Sequence, residues 1–326
     1  MLASDLSSQL LLAMASARPE RGAGTAESPF RAADDAQARR IISAWQGDRG
    51  VSRRVCSAPV VYSEGETELH GRKFWAVGMP PDRSTPVVLL LHTAVGPHDL
   101  FLHWRAECLA ALGYVAFVAD VLGDARGDGW TRDWCEPRRA ALVADRDLCR
   151  ARIRAALDAA CADTDDLGCP RVDRSRTAAI GFCFGGRAAL DWARGDPDGL
   201  RGVVSFHGIL DNSPLAPAAS RVRADVLLCH GGDDPFLPDA DVDACVEQLR
   251  GAGARVELRR FGGVRHAFTN PAQALNPNPA FGYDAAAAAD SWDLATRFLR
   301  RVLGSDLCPR SVVKGPRTSS VRVVAT

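Results

Sequence analysis

The sequence predicts an α/β protein, a mostly parallel twisted sheet with helices on both faces. Two observations carry this reading. Runs such as "TPVVLLLHT", "GYVAFVADV" and "ADVLLCHG" are nearly continuous in Val, Leu and Phe, as expected of strands covered on both sides. Amphipathic segments alternate with these runs, and strand–helix alternation builds a parallel sheet. The composition, 47% hydrophobic and 25% charged over 326 residues, supplies ample material for a core.

The first two strand candidates are "PVVYS" and "LHGRKFWAVG". Only the short turn "EGETE" separates them, so they are read as an antiparallel lead-in. The later strands are "TPVVLLLHT", "GYVAFVADV", "RTAAIGF", "LRGVVSFHG", "ADVLLCHG" and "ARVELRRFG". Helices are expected over 99–111, 138–162, 184–194, 239–251 and 284–303. Residues 1–56 carry one periodic patch, "AQARRIISAWQG", and residues 305–326 carry turn residues without a helical pattern. The expected organisation is therefore an extension over 1–56, a domain over 57–304 and a tail over 305–326.

Charge and cysteine content narrow the function classes. Forty basic residues balance forty acidic ones, so no global field favours nucleic acid or anionic lipid. No run approaches the ~18 apolar residues of a membrane span. The ten cysteines are scattered singly, a pattern that suits reduced thiols and a cytoplasmic setting better than a disulfide scaffold. Neither metal nor cofactor is expected, because no Cys/His pair with zinc-ligand spacing is matched by a second. The N-terminal "MLASDLSSQLLLAMASARPERGAG" has two readings, an organelle-targeting segment or a plain extension. Asp5, Glu20, Glu27, Asp34 and Asp35 weigh against the first.

In a parallel sheet, ligands bind at the carboxyl ends of the strands, and three strand ends carry reactive groups. After "RTAAI" comes Gly181-Phe182-Cys183-Phe184-Gly185-Gly186, then a helix. This is the nucleophile-elbow pattern with cysteine in place of serine. A buried inert thiol is the default reading of one cysteine; the glycine frame argues for a nucleophile. The N–H of Phe184 would face an oxyanion, with a second donor expected around Thr93 and Ala94. After "ADVLLCHG" stand Asp233 and Asp234, and after "ARVELRRFGGVR" stands His266. Nucleophile, acid, histidine is the chain order of α/β-hydrolases. Together these features predict an α/β-hydrolase fold.

The chain resembles the dienelactone hydrolase (carboxymethylenebutenolidase) family over roughly residues 58–303. The resemblance rests on "GFCFGG", "HGGDDPFLP", "RHAFTNP" and "YDAAAAADSWDLATRFL". It implies Cys183 as nucleophile, His266 as base and Asp234 as acid; Asp234 is preferred to Asp233 by its place four residues before Pro238. Two positions depart from the family. Thr93 stands where many members have a glutamate, and Asn270 where an arginine holds a substrate carboxylate. The resemblance thus implies a hydrolase of an activated ester or lactone acting through a thioacyl-enzyme. A thioesterase or broad carboxylesterase is the runner-up, and Thr93 is the feature that favours a non-catalytic ligand-binding homologue.

Thr93, Trp130, His207, Phe236, Phe268 and Asn270 are expected to line the substrate pocket, beside the backbone donors of Phe184 and Ala94. Arg138, Arg139 and Arg265 are the candidates for a replacement cation. His92, His207 and His230 also stand at strand ends, where a metal is the weaker alternative. "RGD" at 126–128 reads as a solvated loop, and the arginines of "EPRRAALVADRDLCRARIRAALDAA" as a wet helix face. The expected partner is a small-molecule ester or lactone, with no nucleic acid or membrane, and the chain is expected to be a monomer or weak homodimer.

Overall fold

The computed structural model describes residues 55–123, 132–162, 168–211, 213–217 and 219–304. Trp130 and the "RGD" tripeptide lie outside them. The described residues form one eight-stranded sheet in the order β1-β2-β4-β3-β5-β6-β7-β8. Its strands are β1 (Val55–Glu64), β2 (Thr67–Ala76), β3 (Thr85–Leu91), β4 (Val115–Ala119), β5 (Val172–Phe182), β6 (Leu200–Phe206), β7 (Asp225–Gly231) and β8 (Val256–Phe261). β2 pairs antiparallel with both β1 and β4, as a hairpin lead-in requires; from β4 to β8 every pairing is parallel.

Among the described residues six helices cover this sheet: α1 (Leu100–Ala111), α2 (Arg132–Ala144), α3 (Arg146–Cys161), α4 (Phe184–Ala193), α5 (Asp239–Gly251) and α6 (Ala285–Leu303). The alternation of side chains along β3 shows why its run is continuously apolar. Val87, Leu89 and Leu91 pack into a layer with α3, α4 and α5, while Val88 and Leu90 pack into a layer with α1 and α6. All seven residues of β3 are buried.

Two expectations are corrected. The helix expected over 138–162 is two helices, and the first starts six residues earlier, with Pro137 inside it. The break falls at Asp145, whose backbone is extended and whose carboxylate accepts from Leu148 N at 2.9 Å. Aspartate favours a cap over a helix interior because its short side chain competes for backbone N–H groups. The arginines here are also less wet than expected. Arg139 and Arg152 are buried, and Arg152 donates from one nitrogen to the carbonyls of Val121 and Leu122 at 2.8 and 2.7 Å. An arginine at a loop crossing is recruited to satisfy carbonyls that no strand partner can reach.

The nine described cysteines are all unpaired, in line with the scattered spacing. No described helix is long and apolar enough to cross a membrane. No cluster of possible metal ligands occurs among the described residues.

Candidate active site

Three loops at the carboxyl edge of the sheet converge on one site. β5 ends at Phe182, and Cys183 follows with φ 55° and ψ −116° before α4 begins. A positive φ at a residue with a β-carbon is strained by roughly 1–3 kcal/mol and persists only where its surroundings enforce it. Here the neighbours do so. Cys183 N donates to Phe206 O at 3.0 Å, and Cys183 O accepts from Gly186 N at 3.0 Å. The flanking glycines are required by contact. A β-carbon on Gly181 would stand 2.0 Å from Gly185 O, and one on Gly185 would stand 2.2 Å from Leu91 O. The turn can therefore close only with glycine at both places.

β7 exits into the loop bearing the two aspartates, and they separate cleanly. Asp234 is buried; its Oδ2 lies 2.6 Å from His266 Nδ1 and its Oδ1 accepts from Phe236 N at 3.0 Å. Asp233 is exposed and accepts from Gly263 N at 3.3 Å, on the outside of the same loop. With a carboxylate at Nδ1, the Nδ1 nitrogen carries the proton and Nε2 faces inward. Nε2 is enclosed and has no partner at hydrogen-bond geometry among the described residues. The sulfur of Cys183 nevertheless lies near enough for its charge to act on the ring. Burial disfavours the imidazolium, but the negative charges of Cys183 and then Asp234 outweigh burial and raise His266 to about 10.

The imidazole is boxed by ring edges. Phe236, Phe281 and His207 stand 5.2, 5.4 and 5.2 Å from it between centroids, each close to edge-to-face. Phe281 was not among the expected pocket residues. It reaches the site through a bridge between His266 and Phe281, set up by the loop before α6. In "NPNPAFGYD" an aromatic residue in an aperiodic loop gives no signal of direction.

Several pocket expectations need revision. Phe268 is fully enclosed in the layer with α6, so it is core. His207 is 1% exposed and holds Thr269 Oγ1 at 2.8 Å through Nε2, so it supports the His266 loop from beneath. Burial and the neighbouring His266 push His207 well below its ordinary value, keeping it neutral. Phe236 is half-buried. Thr93 is half-buried, but its hydroxyl accepts from Val95 N at 3.4 Å within its own loop. Asn270 is buried, and its side-chain oxygen accepts from Ala272 N at 3.0 Å, capping the 3-10 turn Pro271–Leu275. Its position is therefore one of loop shape.

Two of the three candidate cations are also engaged elsewhere, and the third, Arg139, is buried. Arg265 donates to Pro279 O at 3.0 Å. Arg138 lies over the Trp134 ring at 3.9 Å and donates to Trp134 O. Sequence reasoning did not single out Arg105 of α1. This buried guanidinium lies between the rings of Trp104 and Trp292, at 4.2 and 4.3 Å, and donates to Thr269 O at 3.4 Å. Nothing in the sequence links residue 105 to residue 269, because that contact exists only once α1 has packed beside the last loop.

The sheet order and the strand-end placement of these groups define an α/β-hydrolase. Comparison with known proteins narrows the class. The sequence profile of the dienelactone hydrolase family matches residues 74–303. A Salmonella typhimurium protein, assigned provisionally as a carboxymethylenebutenolidase, is 30% identical over 75% of this chain and 86% of its own. Among solved structures, a dienelactone hydrolase-like promiscuous phosphotriesterase from metagenomic libraries is 34% identical, with a TM-score of 0.69 over 77% of this chain and 99% of its own. A dienelactone hydrolase from Anabaena variabilis is 26% identical, with a TM-score of 0.52 over 76% of this chain and 99% of its own. The chain belongs to the dienelactone hydrolase family and is a carboxymethylenebutenolidase-like hydrolase.

Proposed function

We propose that the chain hydrolyses activated carboxylic esters or lactones through Cys183, with His266 as base and acid and Asp234 as its orienting carboxylate. The observation that carries this reading is the 2.6 Å contact of Asp234 with His266, beside a thiol held in the strained turn before α4. His266 accepts the thiol proton at Nε2, and the sulfur attacks the carbonyl carbon to form the S–C bond. The negative oxygen faces the N–H groups of Phe184 and Ala94. Collapse breaks the C–O bond, and the leaving oxygen takes the proton from His266. Water then attacks the thioester while His266 accepts a water proton, and the acid departs as that proton returns to sulfur.

The chemistry selects for good leaving groups. The tetrahedral adduct expels whichever group leaves more readily. An ordinary thiol has a pKa of about 8.5, against about 15.7 for water, which simple alkoxides resemble. Plain alkyl esters therefore tend to return to substrate, whereas enol lactones, aryl esters and thioesters go forward. Asn270 offers no positive charge to a substrate carboxylate, and a buried carboxylate without a cation is costly. Neutral activated esters are thus preferred over carboxylated ones.

The test is a pre-steady-state burst with a neutral aryl ester. Wild type should release a burst of about one equivalent of phenol per chain, as a two-step covalent route demands. Cys183→Ala should keep the fold by circular dichroism and lose both burst and turnover. Retained turnover in that variant removes the sulfur from the mechanism.

A further inference from the structure

His92 is absorbed by none of the roles above, yet it stands where the two backbone donors meet. It follows β3, has no solvent exposure, and its ring centroid lies 6.1 Å from that of Phe184. The first turn of α4 presses on the same point, since a β-carbon on Gly185 would stand 2.6 Å from His92 O.

Both ring nitrogens are committed. Nδ1 lies 2.7 Å from Thr93 O, and a carbonyl can only accept, so Nδ1 bears the hydrogen. Nε2 lies 3.3 Å from Val121 N, a backbone donor, so Nε2 presents its lone pair. The two contacts admit one neutral tautomer. Burial pushes His92 below its ordinary value, against the Thr93 carbonyl and Asp120, which favour the charged ring, and with His98, which does not. The Val121 end is itself fixed. Asp120 accepts from Leu122 N and Gly123 N at 2.8 and 3.1 Å, and Arg152 holds the carbonyls of Val121 and Leu122.

The consequence follows from the planarity of the peptide group. Thr93 O and Ala94 N belong to one trans peptide, so the carbonyl and the N–H point in opposite directions. Whatever fixes the carbonyl therefore aims the N–H. We propose that His92 is a positioning residue that sets the Ala94 N–H for the oxyanion by gripping Thr93 O from the firmly anchored β4 exit. The inference rests on the reading of Ala94 as an oxyanion donor and of Cys183 as nucleophile.

Losing an oxyanion donor outright costs roughly 10²–10³ in kcat, so a donor left unaimed should cost about tenfold or more. The experiment is the aryl-ester burst in His92→Ala, His92→Asn and His92→Gln, with Cys183→Ala alongside. Asparagine places an amide donor near the Nδ1 position, whereas glutamine places its polar group near Nε2. The acylation rate constant should fall about tenfold or more in His92→Ala with the burst amplitude kept near one per chain. His92→Asn should be slowed less than His92→Gln. An unchanged rate constant in His92→Ala, a lost amplitude with a normal rate constant, or glutamine outperforming asparagine overturns the proposal. If His92→Ala does not fold, the ordering of the other two variants decides. A burst that survives in Cys183→Ala refutes the nucleophile instead, and it does so whatever the His92 series shows.

Discussion

At the scale of single residues, two adjacent aspartates differ by which way their loop turns them. Asp234 is enclosed against His266, and Asp233 faces outward to Gly263 N. Asparagine at 234 would keep one side-chain oxygen for Phe236 N but would present either an amide N–H or a neutral oxygen to His266. The imidazolium would then lose its buried counter-charge, and the tautomer its anchor. Asp234→Asn should therefore lower kcat at least a hundredfold, toward the ~10⁴ that the same change costs a serine relay. Asp233→Asn retains an acceptor for Gly263 N and should stay within about twofold. Steady-state kinetics with one aryl ester decides this, and a reversed ranking means the carboxylate has been misassigned. Asp234 N donates to Gly231 O at 3.1 Å, and the Asp234 side chain turns inward to His266.

At the scale of elements, all eight strand positions were legible because each run is apolar on both faces or alternates at an edge. Helix boundaries were less legible where charge patterns overlap. The stretch from Arg132 to Cys161 keeps a helical period through its middle, and only the extended backbone of Asp145 divides it. The division places α3 with its own capped start, so the cap has a measurable worth. Asp145→Ala should cost about 1 kcal/mol, which for a domain of this size lowers Tm by about 2–4 °C. Asp145→Ser supplies a replacement acceptor and should recover most of it, with kcat unchanged in both variants. An alanine variant that melts with wild type would mean that α2 and α3 are held by packing alone. The candidate site divides in the same way. Cys183, Asp234 and His266 were legible because strand ends announce them. Phe281, Arg105 and the bridging role of His92 were not, since each depends on contacts between segments distant in sequence.

At the scale of the whole molecule, a buried charge network joins three helices of one layer behind the reactive turn. Arg187 of α4, Arg194 at the C-cap of α4 and Arg146 of α3 surround Asp211, on the loop that follows β6, and Asp191 of α4 pairs with Arg146 and Arg194. Arg194 also donates to Gln248 of α5 and to Asp211 O at 2.6 Å. The loop carrying Asp211 begins at His207, and its Ile209 N reaches Cys183 O at 3.4 Å, so the network braces the reactive turn from behind. Burial alone would raise the Asp211 carboxyl, but Arg187 and Arg194 prevail and bring it to about 2. An unfolded aspartate titrates near 3.9. A folded value below the unfolded one gives stability that is present above about pH 4 and is lost as pH falls through about 2, worth roughly 2.5 kcal/mol in full. Asp211→Asn removes that dependence and leaves Arg187 and Arg194 short of a counter-charge, which costs about 3–5 kcal/mol when a buried pair is broken. Urea midpoints between pH 5 and pH 2 measure both effects. Wild type should lose stability across this range more steeply than Asp211→Asn, which should be weaker at pH 5 and closer to wild type at pH 2. Parallel curves would show that other carboxylates carry the acid sensitivity and that Asp211 is not the keystone of the network.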